Sequence, residues 1–178
     1  MKDITIRIAR IGDEEQIARI NVETWRVTYS GLIHDSMLKS LSIEKRTDDW
    51  KRIIGNMNDA HCTIVATNDD GIILGYCGGG TARREGYQWE VYALYVHPMN
   101  HKSGIGKELL KSYITLAMAA QWTHLGVVVL QGNPARGFYE HCGAKYTGSF
   151  THPIDGIDYW QDELVWKRDE IILTRKMN

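Results

Sequence analysis

Cysteine, long apolar runs and a signal-peptide core are scarce or missing in this 178-residue chain, and each absence excludes a class of protein. The three cysteines, Cys62, Cys77 and Cys142, are odd in number and form no C-x-x-C pair, which is typical of reduced thiols rather than of a disulfide framework. No apolar run approaches the roughly 20 residues of a membrane-spanning helix. The N-terminus also lacks the apolar core of a signal peptide. We therefore expect a soluble, cytoplasmic protein with no membrane partner.

An excess of charge of one sign is also missing. The chain carries 21 Lys and Arg against 22 Asp and Glu, whereas a dedicated nucleic-acid binder carries a strong basic excess. The histidines show no metal-ligand spacing, because Pro98 separates His97 from His101 and argues against a shared helix face. No Gly-x-Ser-x-Gly elbow marks a serine nucleophile. The sequence thus predicts no nucleic acid, no metal and no serine acyl-enzyme.

The spacing of apolar residues and turn signals predicts one α/β domain over 1–178, with a core at about 4–167 and a tail at 168–178. No internal repeat or linker divides it. Hairpins before the central strand and a helical crossover after it favour a mixed sheet. Strands are predicted at 4–9, 61–67, 72–81, 88–96, 124–130, 145–151 and 157–167, and helices at about 13–29, 32–56, 104–120 and 134–142. The apolar residues 171–173 of the tail are a candidate docking segment.

The segment 89–110 is the most informative part of the chain. It starts as a strand of aromatic and aliphatic residues, breaks at His97-Pro98, and enters a helix through Gly104 and Gly106. Backbone N–H groups in the first turn of a helix have no intrahelical acceptor, and the helix dipole favours negative charge there. This arrangement predicts a site for a phosphorylated ligand.

Two common nucleotide motifs do not fit these glycines. A P-loop requires Gly-x-x-x-x-Gly-Lys followed by Ser or Thr, whereas His101 stands at its first position and Glu108 follows Lys107. A dinucleotide-binding fingerprint requires a third glycine where this chain has Leu109. The glycine run at 78–80 has no helix behind it, so we interpret it as close backbone packing at a strand end.

A third pattern fits. The chain resembles the GNAT superfamily of acyl-CoA-dependent N-acyltransferases, whose pyrophosphate motif is Gln/Arg-x-x-Gly-x-Gly/Ala. This chain departs from that motif only at His101, whose side chain can still donate a hydrogen bond. The resemblance implies a single-domain GNAT-like fold, with a mixed sheet of about seven strands, about four helices and splayed central strands. The residues that carry the resemblance are Glu90, Leu94, Val96, His101, Gly104, Gly106, Asn133, Phe138, Tyr139, Gly143 and Ala144.

The resemblance implies acetyl-CoA as co-substrate, without a metal. Amides at 102–107 would bind the CoA pyrophosphate at the helix N-terminus. The backbone at 94–96 would pair with the pantetheine arm, and an amide there would polarise the thioester carbonyl. Asn133 would contact the cofactor or a water, or simply cap the helix that follows it. The residues assigned to the cofactor are Leu94, Tyr95, Val96, His101, Lys102, Ser103, Gly104, Ile105, Gly106, Lys107, Asn133 and Arg136.

Two residues match catalytic positions of the family. Tyr139 stands where a tyrosine protonates the departing CoA thiolate, and a phenol with a pKa of about 10 keeps its proton at neutral pH. Glu90 stands where some members place a base that deprotonates the incoming ammonium, directly or through water. The alternative is that neither residue is catalytic. Tyr139 would then be a core tyrosine beside Phe138, and Glu90 an exposed glutamate of a strand.

The resemblance implies an N-acetyltransferase that moves acetyl directly to a primary amine of a small molecule or peptide, and it allows a homodimer. Trp25, Tyr29, Tyr92 and Trp160 are the candidate acceptor-site residues, although the aromatic ones on the first helix equally suit a cover for the sheet. Two alternatives stay open. One is a catalytically silent CoA-binding regulatory module, and the other is a nucleotide-binding α/β protein of another class.

Overall fold

Seven strands form one mixed sheet, in the order β1-β2-β3-β4-β5-β7-β6. The structure is a computed structural model that describes residues 4–171. All neighbouring strands are antiparallel except β4 and β5, which are parallel. The elements in chain order are β1 Thr5–Ile8, α1 Glu14–Thr28, α2 Asp35–Ser40, α3 Ile43–Gly55, β2 His61–Thr67, β3 Ile73–Thr81, β4 Trp89–Val96, a 3-10 helix Pro98–Asn100, α4 Ile105–Ala117, β5 His124–Leu130, α5 Ala135–His141, β6 Lys145–Ile154 and β7 Ile157–Lys167.

Helices cover both faces of this sheet because each has one apolar stripe. Helix α4 buries Leu109, Tyr113 and their neighbours against one face, in a cluster that also contains Tyr139 and Trp166. Helices α1 and α3 pack on the opposite face, where Ile17 lies among the buried residues. The two faces therefore carry separate cores, and the edges of β4 and β5 lie between them.

The predicted helix at 32–56 divides into α2 and α3, so three α-helices rather than two precede β2. Leu41 and Ser42 adopt extended backbone conformations between the two helices. The Ser42 hydroxyl accepts a hydrogen bond from the Lys45 N–H at 3.3 Å, so Ser42 caps α3. Helix α4 is also shorter than predicted, since it ends at Ala117.

The glycine run of β3 serves backbone packing, as predicted. A Cβ atom on Gly78 would stand 2.7 Å from the Thr63 hydroxyl, and one on Gly79 or Gly80 would collide with backbone oxygens of Glu90 or Ala60. A larger side chain at Gly79 or Gly80 therefore does not fit without a shift of the neighbouring backbone, and one at Gly78 would displace the Thr63 side chain.

The central strands β4 and β5 separate after a short contact. They pair only from Trp89 to Val91 on β4 and from Leu125 to Val127 on β5, although β4 continues to Val96 and β5 to Leu130. The splayed strands predicted from the resemblance are therefore present. The separation leaves one edge of β4 unpaired inside the sheet.

The start of the predicted tail packs against the end of α4. The guanidinium of Arg168 donates to the carbonyls of Ala120 and Met118, at 2.7 and 2.9 Å. A cation at a helix C-terminus is favourable there. Residues 172–178, which include most of the predicted docking segment, lie outside the described residues. No helix within residues 4–171 is long and apolar enough to cross a membrane.

Candidate active site

A cleft of about 580 Å³ opens where β4 and β5 diverge. Its walls come from the ends of these two strands, from α1, from the loop that enters α4, and from α5. Most of the sequence-predicted residues line it together. They are Tyr29, Tyr92, Leu94, Tyr95, Val96, His101, Lys102, Ser103, Gly104, Ile105, Gly106, Lys107, Asn133 and Tyr139.

The loop that enters α4 presents a run of free backbone amides to the cleft. Ser103 donates its hydroxyl to the Asn100 carbonyl at 2.6 Å, and Lys102 and Gly104 have φ values of 62° and 87°. Only glycine adopts the second conformation without strain. The first amide of α4 with an acceptor is that of Glu108. Within the described part of the chain, none of the six N–H groups at 102–107 donates a hydrogen bond.

The charged side chains that line the cleft are those of two lysines, Lys102 and Lys107. His101 and His141 also line it, and none of the described lining residues is an Asp or Glu. Together with the free amides and the dipole of the 13-residue helix α4, these side chains make one end of the cleft suitable for an anion. No group of three His, Cys, Asp or Glu side chains in the described ranges could hold a metal ion.

His101, the departure from the family motif, bonds to β4. Its Nε2 lies 2.9 Å from the Val96 carbonyl oxygen, which the Thr24 hydroxyl also approaches to 3.3 Å. The Val96 carbonyl thus has two protein donors. Residues of a strand alternate the edge to which they turn their backbone groups, so Leu94 shares the unpaired edge with Val96.

Tyr139 projects into the cleft from α5. Its ring packs edge-on against Phe138 and Trp166, at centroid distances of 5.2 and 5.9 Å. The residue is 6% exposed, and its hydroxyl has no hydrogen-bond partner among the described residues. Burial, and to a smaller extent the nearby thiol of Cys77, raises the pKa of Tyr139 well above its ordinary value. The phenol therefore stays protonated through the physiological range.

Tyr29 and Tyr95 line the α1 side of the cleft, and their hydroxyls are 3.2 Å apart. The Trp25 indole donates to the Tyr95 hydroxyl at 3.0 Å, but Trp25 itself is not among the lining residues. Sequence reasoning assigned only the backbone of Tyr95, and it did not assign Thr24 to the site. The i, i+4 spacing that puts Thr24 and Thr28 on one face of α1 was the available signal.

Glu90 does not line the cleft. Its carboxylate, on a residue that is 1% exposed, accepts three hydrogen bonds from Arg83. They come from the backbone N–H at 3.0 Å, from Nε at 3.2 Å and from Nη2 at 2.6 Å. Tyr92, two residues along β4, lines the cleft and donates its hydroxyl to the Thr81 carbonyl. Glu90 therefore lies outside the cleft lining, two residues before Tyr92 in β4.

Three predicted residues have other contacts. Arg136 pairs with Asp162 at 2.8 Å and with Glu140 at 3.0 Å, and it is not among the cleft residues. Trp160 is 56% exposed on β7, away from the cleft. Asn133 lines the cleft, but its side-chain oxygen accepts from the Ala135 N–H at 2.9 Å, so it also caps α5.

Known proteins share the sequence pattern and the fold of this chain. The chain is 27% identical to the uncharacterized N-acetyltransferase YuaI of Bacillus subtilis over 165 residues, which is 92% of each chain. The PaiA N-acetyltransferase of Thermoplasma acidophilum, solved with coenzyme A, has the same fold, with a TM-score of 0.68 and 23% identity over 93% of this chain and 99% of that one.

YncA of Salmonella typhimurium, solved with acetyl-CoA, also shares the fold, with a TM-score of 0.67 and 20% identity over 94% of this chain and 95% of that one. A sequence profile of the acetyltransferase (GNAT) family matches residues 20–144. This match excludes the alternative that the chain is a nucleotide-binding α/β protein of another class. The chain belongs to the GNAT acetyltransferase family and is an acyltransferase by class, as its sequence predicted.

Proposed function

We propose that this protein transfers an acetyl group from acetyl-CoA directly to a primary amine of a small molecule or peptide. The observation that carries the proposal is the run of six free amides at 102–107, which opens into the same cleft as the unpartnered Tyr139 hydroxyl. An anion site and a proton donor in one cleft are what the reaction requires. Two proteins of the same fold were solved with coenzyme A and with acetyl-CoA.

The residues present fit this co-substrate. The amides at 102–107 would hold the pyrophosphate, and Lys102 and Lys107 would add positive charge beside it. The unpaired edge of β4 at Leu94 would pair with the amide groups of the pantetheine arm. The carbonyl of Val96 already accepts from His101 and Thr24, so we assign His101 to the support of this edge rather than to the phosphates. When bound, acetyl-CoA supplies an acetyl thioester.

Tyr139 would donate a proton to the thiolate that leaves. Its raised pKa keeps the proton on the phenol until the thiolate develops. Its packing between Phe138 and Trp166 holds the ring in one position, which removes the need to orient the donor during the reaction.

The amine must lose a proton before it attacks, and Glu90 remains the predicted acceptor of that proton. Because Glu90 lies outside the cleft lining, it would act through water. Its three hydrogen bonds from Arg83 hold the carboxylate in one position.

The test is release of CoA thiol from acetyl-CoA with a panel of primary amines, with the product identified by mass. We expect turnover with at least one amine and a loss of turnover for Tyr139→Phe. Binding of acetyl-CoA in calorimetry without acetylation of any amine would instead support the silent regulatory module. An absence of acetyl-CoA binding would refute the proposed co-substrate.

A further inference from the structure

Three side chains that join α1 to β4 form a hydrogen-bonded chain with a fixed direction. The Trp25 indole donates to the Tyr95 hydroxyl at 3.0 Å, and an indole N–H can only donate. The Tyr95 and Tyr29 hydroxyl oxygens are 3.2 Å apart, and within residues 4–171 the Tyr29 oxygen is the one acceptor in reach of the Tyr95 proton. The protons of this chain therefore point from Trp25 through Tyr95 to Tyr29.

The last hydroxyl of the chain, that of Tyr29, keeps a proton with no acceptor in the described part of the protein. Burial raises the pKa of Tyr29, whereas hydrogen bonds from Tyr95 and Asn133 oppose this rise. A phenol oxygen has two lone pairs, and these two donors use both. The Tyr29 hydroxyl can therefore donate but not accept, and since Tyr29 lines the cleft, a bound ligand is the acceptor available to it.

The backbone and the ring of Tyr29 are both held in place. Its N–H donates to the Trp25 carbonyl at 3.0 Å, and its own carbonyl accepts from the N–H groups of Leu32 and Ile33 at 3.0 and 3.1 Å. Its ring packs against that of Trp25, with centroids 4.7 Å apart. A donor that is fixed before the reaction needs no reorganisation during it.

Tyr29 and Tyr139 line the same cleft, one at the end of α1 and the other on α5. They lie close enough that Tyr29 contributes to the raised pKa of Tyr139, after burial and the Cys77 thiol. Tyr139 is the proposed proton donor to the thioester sulfur, and the carbonyl oxygen of a thioester is two bonds from its sulfur. The two phenols are therefore placed to serve the two atoms separately.

We propose that the Tyr29 hydroxyl donates a hydrogen bond to the thioester carbonyl oxygen of bound acetyl-CoA and stabilises the negative charge that develops there. The inference rests on the proposed acetyl transfer and adds a catalytic residue to it. Trp25 and Tyr95 are positioning residues that act through Tyr29, because each donor in a chain polarises the next.

The step balances with Tyr29 protonated throughout. The amine nitrogen bonds to the carbonyl carbon, an electron pair of the C=O bond moves to oxygen, and the nitrogen loses its proton to the base. When the pair returns from oxygen, the C–S bond breaks and its electrons leave with sulfur, which takes the Tyr139 proton. Negative charge is therefore on the oxygen only during the reaction, and the hydrogen bond from Tyr29 is strongest then.

The incoming amine is a poor partner for this hydroxyl. Its nitrogen needs the lone pair for the attack, so a donor to that lone pair would block the reaction. The Tyr29 oxygen has no lone pair left to accept an amine N–H. The carbonyl oxygen is the reacting atom that needs a donor.

The experiment records the infrared stretch of the thioester carbonyl in bound, isotope-labelled acetyl-CoA, without an amine. A donor to the carbonyl oxygen lowers this frequency, so the wild type should show a lower frequency than Tyr29→Phe. Trp25→Phe keeps the phenol and removes its upstream donor, so its frequency should lie between the two. Tyr159→Phe is the matched control, since the Tyr159 hydroxyl accepts from the His34 N–H at 3.2 Å outside the cleft lining. This control should match the wild type.

Initial rates with an amine that the wild type acetylates give the second readout. Tyr29→Phe should lower kcat by about 10²–10³, the usual cost of one oxyanion donor, and leave the KM for acetyl-CoA unchanged. Trp25→Phe should lower kcat less than about tenfold, because one bond in a chain strengthens the next by only about 10–30%.

Equal carbonyl frequencies in the wild type and Tyr29→Phe, both saturated with acetyl-CoA, refute the inference. An unchanged kcat with a raised KM for the amine refutes it as well, because Tyr29 would then bind the acceptor. If Tyr29→Phe does not fold, Trp25→Phe decides, and a frequency equal to that of the wild type is the refuting result. The infrared measurement needs no acceptor. A wild type that binds acetyl-CoA and acetylates no amine therefore refutes the proposed function, while the carbonyl frequency still decides the role of Tyr29.

Discussion

Replacing Tyr139 with phenylalanine removes one hydroxyl from the cleft and should lower kcat by about 10²–10⁴, the usual contribution of a positioned general acid. The reason is that the phenol is the unpartnered proton donor in the cleft wall, held there by Phe138 and Trp166. The KM for acetyl-CoA should change little, because the amides at 102–107 carry the binding of the pyrophosphate.

The same change should leave folding intact. The Tyr139 hydroxyl has no partner among the described residues, so its removal leaves no donor or acceptor unpaired, and the free energy of unfolding should change by less than about 1 kcal/mol at neutral pH. Burial raises the pKa of Tyr139, so above about pH 10 the unfolded chain loses a proton that the native state keeps. Above this pH, ionisation of Tyr139 in the unfolded chain lowers the free energy of unfolding by up to about 1.4 kcal/mol per pH unit. Tyr139→Phe should lack this pH dependence.

Tyr113→Phe is the matched control. Tyr113 is also fully buried, but its hydroxyl accepts a hydrogen bond from the Trp89 indole at 3.1 Å, outside the cleft lining. Its removal leaves that N–H unpaired and should cost about 1–3 kcal/mol of stability with kcat preserved. Urea unfolding and initial rates with the best amine measure both quantities. Full kcat in Tyr139→Phe, across the pH range, would refute Tyr139 as the proton donor.

Three further changes test other parts of the structure. Gly126→Ala should destabilise the fold by about 1–3 kcal/mol in urea unfolding, because its Cβ would stand 2.5 Å from the Tyr87 ring. Burial of Asp13 opposes its ionisation, but the hydrogen bond from Arg7 and further favourable contacts hold its pKa below the ordinary 3.8. The stability that the ionised Asp13 adds is present above pH 3.8 and is lost as the pH falls through the lower pKa of the native state. The free energy of unfolding of Asp13→Asn should therefore change less with pH in the acid range than that of the wild type. Lys107→Gln should weaken CoA binding about threefold to tenfold in calorimetry and reduce its salt dependence.

The sequence predicted those parts of the fold that depend on neighbouring residues. The hairpin between β2 and β3 was readable from the two strand patterns that flank it, and in the structure the Asn68 side chain accepts from the N–H groups of Asp70 and Ile72 in this turn. The entry to α4 was readable from Gly104. The division between α2 and α3 was not, since a short extended link inside a helical pattern has little periodic signal. The end of α4 was overestimated because the residues after Ala117 are still good helix formers.

The candidate site was predictable where it follows a local motif and unpredictable where it depends on distant partners. The resemblance assigned Tyr139 and the loop at 102–107 to one site, and in the structure these residues line the same cleft. The pairing of Arg136 with Asp162 joins residues 26 positions apart, and no local pattern indicates it. The same applies to the bonds from Trp25 to Tyr95, which are 70 positions apart.

The short contact between β4 and β5 has a consequence for cooperativity. The sheet consists of two halves, β1 to β4 and β5 to β7, joined by three residue pairs of β4 and β5. A ligand that bonds to the free edge of β4 would act as an eighth strand and link the halves. Acetyl-CoA would then be a structural component as well as a reactant, and its binding would slow amide hydrogen exchange in β6 and β7, far from any atom it touches.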